Sequence, residues 1–287
     1  MLKAVWKKIK PLLPVLGEFA ASPSVKQSAI DAEIRAVLQD AKARTPDSPV
    51  LKGFKVYSQV DEDGIIHNIC ARLGLNTGTF IELGCGKGVE NNTHYMLLQG
   101  WKGVWVDGDA ANIASICTMV PAKSPSLLVE QLFITKDNIA EAVQRWSSHL
   151  SGPCDLFSID IDGNDAVILG EVAKIISPKV IVAEYNGKFP PPLVTTVAYN
   201  ATHSWTGDDY YGASLQALVN CLPDHRLVCC NVAGTNAFFV RSDLSASFTN
   251  YSVGELFMTA RNHLVQRKGA APASLKYLRD MLRDTPH

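Results

Sequence analysis

The chain has 287 residues, 47% of them hydrophobic and 19% charged, with a formal net charge of -1 and a pI near 6.6. That length suits one large α/β domain, and 20 Gly, 15 Pro and 7 Cys exclude collagenous, disordered and disulfide-scaffold classes. Balanced charge argues against a nucleic-acid partner held through its phosphates. Seven cysteines without a C-x-x-C pair suit a reducing, cytoplasmic setting and neither a zinc site nor a disulfide framework.

In chain order, Lys3, Lys7, Lys8 and Lys10 surround Trp6 ahead of an apolar run that Pro14 and Glu18 interrupt. The run resembles a signal peptide only superficially. A helix packed on the domain or on another subunit, making a homo-oligomer, is the plainer expectation; residues 1–20 also suit a peripheral membrane contact. No stretch approaches the ~18 apolar residues of a membrane span. Residues 1 to 50 read as helical and end in the breaker-rich segment Thr45–Pro49. From Tyr57 onward, short apolar strands alternate with amphipathic segments. The strands are Thr79–Gly84, Gly103–Asp107, Ser126–Glu130, Asp155–Asp160 and Lys179–Glu184, with helical spacing over Asp137–Trp146 and Asp165–Ala173. This alternation predicts a doubly wound, mostly parallel sheet covered on both faces. Arg226–Arg241 reads as a hairpin turning at Ala233-Gly234, and Leu275–Leu282 as one more helix or a tail.

The strongest local signal is the run Phe80–Asn92, in which a strand leads into Gly84, Gly86 and Gly88, followed by Asn91, Asn92 and Thr93, able to cap a helix. Alternate glycines permit a tight turn and close approach of a ligand to the backbone. A dinucleotide fingerprint would need a further glycine where this chain has Val89. Asp107 closes the next strand at the distance where an acidic side chain accepts ribose hydroxyls, with Asp109 as the competing candidate. The loop G-x-G-x-G preceded by Glu82 resembles motif I of class I S-adenosylmethionine-dependent methyltransferases. Together with Tyr57–Ile66, Gly100–Asp109 and Ser158–Asp165, it makes residues 55–242 look like an FkbM-like, sugar O-methyltransferase-like family. The resemblance implies a Rossmann-like, seven-stranded sheet with an antiparallel last strand. It also implies S-adenosyl-L-methionine as cofactor, with Glu82 near its methionine end and the glycines and Asn92 beneath it. Residues 1–54 then form an N-terminal helical extension, 55–245 the methyltransferase domain and 246–287 a C-terminal helical segment. The chain departs from the family at Asp162–Asp165, where many members carry a Glu-Gly-Ala-Glu type of segment; that bears on the acceptor.

Gln59 and Asp63 precede the first core strand and are plausible contacts for the amino-acid part of the cofactor; a helix N-cap at Asp61 or Asp63 is the other explanation. Strand ends at Asp107, Asp160 and Glu184 should converge on one crevice. Asp160 with Asp162, and Glu184 with Asn186, share a face by period two and offer hard oxygen ligands to Mg²⁺ or another divalent cation. Such an ion would help ionise an acceptor hydroxyl, as in metal-dependent O-methyltransferases, with Asp160 catalytic. Equally, Asp162 and Asn164 start a helix and Glu184 bonds backbone. Residues 199–212 read as a substrate loop. It holds His203, either a general base or a plain surface histidine, and Trp205, Asp208 and Tyr210, which with Tyr185 are assigned to a small-molecule or glycan acceptor. A non-catalytic binding module on this fold, or an NAD(P)-dependent oxidoreductase, are the alternatives.

Overall fold

The computed structural model describes residues 23–265 and 272–284. The basic N-terminus and its expected membrane contact lie outside them, and no helix among the described residues is long and apolar enough to cross a membrane. Helix α1 (Pro23–Arg44) stops at Thr45, because the residue before a proline is disfavoured in the helical region. A 3₁₀ turn (Pro49–Lys52) leads to α2 (Glu62–Arg72), which buries Ile65, Ile66, Ile69 and Cys70.

Strand and helix then alternate as the pattern predicts: β1 (Thr79–Leu83), α3 (His94–Leu98), β2 (Lys102–Asp107), α4 (Ala110–Cys117), β3 (Leu127–Gln131), α5 (Ile139–Leu150), β4 (Leu156–Ile159), α6 (Asp165–Val172) and β5 (Val180–Glu184). After a long loop come α7 (Leu215–Cys221), β6 (His225–Cys230) and β7 (Asn236–Arg241). Each helix follows from local chemistry. Asp109 caps α4 by accepting from Ala111 N, Ser214 caps α7 by accepting from Ala217 N, and α5 buries Ile139, Ala142, Val143, Trp146 and Leu150 along one stripe.

The seven strands form one sheet in the order β3-β2-β1-β4-β5-β7-β6, and β7 alone runs against its neighbours. A dinucleotide-binding sheet runs 3-2-1-4-5-6; here β7 is inserted between β5 and β6. Phe80, Ile81 and Leu83 of β1 and Leu156, Phe157 and Ile159 of β4 are fully buried, so the two middle strands are covered on both faces. Burial of each such large side chain contributes about 1.5–3 kcal/mol.

The C-terminal segment adds α8 (Val253–Leu256), closed by a Ser252–Glu255 capping box, α9 (Asn262–Val265) and α10 (Lys276–Asp284). Arg44 donates to the carbonyl of Glu255, and His263 meets Glu33 at 2.7 Å, so this segment packs against α1. Leu275, Leu278 and Leu282 are buried, which makes the last stretch a packed helix. The order reverses between β1 and β4, and in such sheets that is where the crevice beyond the strand ends opens.

Candidate active site

Two adjoining cavities lie over that switch point, with Gly84 and Asp160 in the wall of both. The first, about 280 Å³, is lined by Gln59, Glu82, Gly86, Lys87, Glu90, Asn91, Asn92, Asn112 and Asn236 among others. Its floor is organised by Glu82. The buried carboxylate accepts from Asn91 Nδ2 at 2.8 Å, Asn92 N at 2.7 Å, Thr93 N at 3.2 Å and the Thr93 hydroxyl. Burial pushes its pKa up while these donors pull the other way. Thr93 holds the N-cap position of α3 without a side-chain cap bond: its hydroxyl donates to Glu82 and accepts from Trp105 Nε1 at 2.8 Å. Asn92 reaches across to Ser158 Oγ at 3.1 Å.

Behind the glycine loop stands His94, fully buried. Its Nδ1 is 2.7 Å from Gly88 O, its ring stacks on Tyr57 at 3.6 Å and 12°, and Trp105 meets it edge-on at 5.6 Å. A ring nitrogen facing a carbonyl must carry the proton, so Nδ1 donates. Gly88 belongs to this supporting wall, accepting from His94 through its carbonyl. Burial lowers the His94 pKa to about 4. The folded state then binds fewer protons than the unfolded chain between the unfolded value near 6.5 and 4, and stability is lost as pH falls through that window. Acidification from pH 7 to 4 is expected to remove on the order of 3 kcal/mol through this group. Urea unfolding of wild type and His94→Asn at both pH values tests it, since the variant should lose that part of the slope; equal slopes would refute the assignment.

The second cavity, about 250 Å³, is lined by Asp107, Gly108, Asp109, Leu132, Phe133, Ile134, Ile161, Asp162, Asn164, His203 and Trp205 among others. Asp107 joins the two halves of the site. It accepts from Gly86 N at 2.7 Å, from Asp109 N at 2.8 Å and from Asn112 Nδ2 at 3.1 Å. Asp109 spends one oxygen on capping α4 and still lines the cavity. Phe133 is 45% exposed, so it offers an aromatic face that the sequence had not singled out.

At the ends of β4 and β5, one carboxylate oxygen each from Asp160, Asp162 and Glu184 lie within 4.8 Å of one another. Burial raises Asp160 well above the carboxylate range, as do Asp162 and Asp165 nearby; burial and Asp160 do the same to Glu184. Glu184 Oε2 is buried without a hydrogen-bond partner. Three hard oxygen donors, one of them orphaned, suit a divalent cation, which would relieve their mutual repulsion. Tyr211 stands beside them, its hydroxyl kept protonated by burial and by Glu184.

The loop carrying His203 is anchored: Asn164 Nδ2 donates to Asn200 O at 2.9 Å, and Asn200 N to Asn164 Oδ1 at 3.3 Å. His203 Nε2 lies 3.3 Å from Asp162 O, and its ring rests on Gly163, where a Cβ would stand 2.1 Å from Cδ2. Trp205 lines the second cavity and donates to Asp208 O at 2.7 Å. Tyr210 is 52% exposed and meets the His203 ring edge-on at 6.2 Å.

Four further side chains are engaged within the fold. Asp63 is buried, its Oδ2 taken by the amides of Val56, Tyr57 and Ser58, so it folds its own loop and reaches neither cavity. Tyr185 is fully buried with its hydroxyl on Met258 O, on the opposite face of β5 from Glu184. The Asn186 amide donates to Asp209 O and Tyr211 O and accepts from Lys188 N. Asp208 accepts from Tyr210 N and Thr206 Oγ1 and thereby shapes its own turn.

No protein-family model matches the chain, and no curated protein does. Among solved structures it is similar to the O-methyltransferase from Bacillus cereus in complex with SAH (14% identity, TM-score 0.42, covering 76% of this chain and 97% of that one). It is also similar to an S-adenosylmethionine-dependent methyltransferase from Clostridium acetobutylicum (12%, TM-score 0.36, 61% and 89%). Of the CurJ carbon methyltransferase the chain spans 32%, at 17% identity and a TM-score of 0.31 over 42% of its own length.

Proposed function

We propose that the protein is an S-adenosylmethionine-dependent methyltransferase acting on a hydroxyl oxygen of a sugar, glycan or natural-product acceptor, with a divalent cation held by Asp160, Asp162 and Glu184. One observation carries the reading: the Gly84–Gly88 loop is bonded through Gly86 N to Asp107 across two cavities that share Asp160. When bound, the cofactor supplies an electrophilic methyl group, and the cation would lower the pKa of the acceptor hydroxyl. In this reading Gly84 and Gly86 let the cofactor approach the backbone, and Asp107, oriented by three donors, accepts ribose hydroxyls with Asp109 beside it. Phe133 and Ile161 offer apolar walls to its base. Gln59, Glu82 and Asn92 border its amino-acid part. His203 takes up the acceptor proton, and Trp205 and Tyr210 flank the acceptor.

Calorimetry is the direct test: S-adenosylhomocysteine is expected to bind and NAD is not, and the reverse would overturn the proposal. His203→Ala is expected to keep that affinity while losing roughly 10²–10⁴ in kcat for transfer to a panel of glycans.

A further inference from the structure

The segment Asp162–Asp165, where this chain departs from the family it resembles, forms a seat for the His203 ring. Asp162 has φ +58°, a left-handed conformation that few side chains adopt. Asp165 fixes that turn: fully buried, it accepts from Ile161 N and Gly163 N, each at 2.8 Å, one on either side of Asp162. Gly163 is not among the glycines with positive φ, so its missing side chain provides room rather than backbone freedom. A Cβ there would stand 2.1 Å from His203 Cδ2 and 2.4 Å from Nε2, and its three nearest heavy atoms would all belong to that ring.

Asn164 stands at the N-cap of α6 without a side-chain cap bond, although asparagine is among the best caps. Its buried amide pairs instead with the backbone of Asn200, donating to O at 2.9 Å and accepting from N at 3.3 Å. Asn200 O also accepts from His203 N at 3.0 Å, so the tie runs on to the histidine. The imidazole Nε2 lies 3.3 Å from Asp162 O. A ring nitrogen facing a carbonyl carries the proton, which leaves Nδ1 as the ring's acceptor. We infer that Asn164 and Gly163 are positioning residues for His203: Asn164 ties the loop down through Asn200, and Gly163 makes room for the ring. The acceptor O–H bond then breaks with its electron pair left on oxygen, and the proton forms an N–H bond at Nδ1. This rests on the reading of His203 as the base.

Amide hydrogen exchange on the free protein and methyl transfer to a panel of glycans test it together. In Asn164→Ala the amides of Asn200 and His203 should exchange roughly tenfold faster or more, because two hydrogen bonds are lost, while those of β1 and β4 keep their protection. Gly163→Ala should leave the loop amides protected and displace only the ring. Both variants should bind S-adenosylhomocysteine as wild type does, which shows that they are folded. Each should lose roughly 10–100-fold in kcat, the scale of a misplacement of about 1 Å. In the His203→Ala background neither substitution should lower kcat further. Unchanged exchange in Asn164→Ala overturns the inference, as does wild-type kcat in both single variants. So does a further loss of kcat in either double variant, which marks a role that does not pass through His203. Full turnover in His203→Ala overturns the base reading instead, a distinguishable result, because the exchange measurement needs no turnover.

Discussion

Asp160→Ala is expected to weaken Mn²⁺ binding by at least roughly 100-fold, since even outer-sphere partners of a metal are worth 10–100-fold. Methyl transfer to hydroxylated acceptors should fall by roughly 10²–10³, the loss typical of removing one transition-state electrostatic contact. Excess chelator should stop the wild-type enzyme, and Mg²⁺ or Mn²⁺ should restore it, while the variant stays unresponsive. The expectation follows from crowding: Asp160, Asp162 and Glu184 bring carboxylate oxygens within 4.8 Å of one another, and Glu184 Oε2 has no donor of its own. Protons or a cation can relieve that repulsion, and only a cation makes turnover depend on metal. Full transfer in the presence of excess chelator would remove the ion from the proposal and leave the cofactor reading standing.

The second large effect is on stability. Gly84→Ala is expected to destabilise the fold by about 3–5 kcal/mol and to abolish binding of S-adenosylhomocysteine. Gly84 has φ +82°, which costs an alanine roughly 1–2 kcal/mol. The larger part is a collision, because a Cβ there would stand 1.7 Å from the carbonyl oxygen of Asp160. That oxygen belongs to backbone fixed by the Asp160 N to Leu83 O bond at 3.0 Å, so it cannot retreat without pulling β1 and β4 apart. Urea unfolding measures the loss. Stability within 1 kcal/mol of wild type would show that the two strand ends do not approach so closely.

Much of this molecule is legible in its sequence for a simple reason: buried parallel strands are written as continuous apolar runs, and turns as glycine and proline. The five parallel strands, the hairpin about Ala233-Gly234 and the helix beyond Leu275 all lie where periodicity places them. Glu82, Gly84, Gly86, Asp107 and Asp160 line the cavities at the carboxyl ends of these strands, where open parallel sheets place their crevice. Of the residues whose spacing offers ligands to a cation, Asp160, Asp162 and Glu184 bring carboxylate oxygens within 4.8 Å of one another.

What the sequence could not decide is which polar side chains remain free once the backbone has claimed its partners. Asp63 Oδ2, the Asn186 amide and Asp208 Oδ1 all bond backbone groups of nearby segments, which the sequence alone does not show. Tyr185 is carried to the far face of β5 by the pleat. Conversely, Asn236 carries no local signal. It enters the first cavity only because β7 inserts antiparallel beside β5 and sets Asn236 opposite Glu184. Composition and period decide where a strand ends and which residue type stands there. Hydrogen-bond competition among segments distant in sequence decides which of those groups is left to meet a ligand, and only the tertiary fold settles that competition.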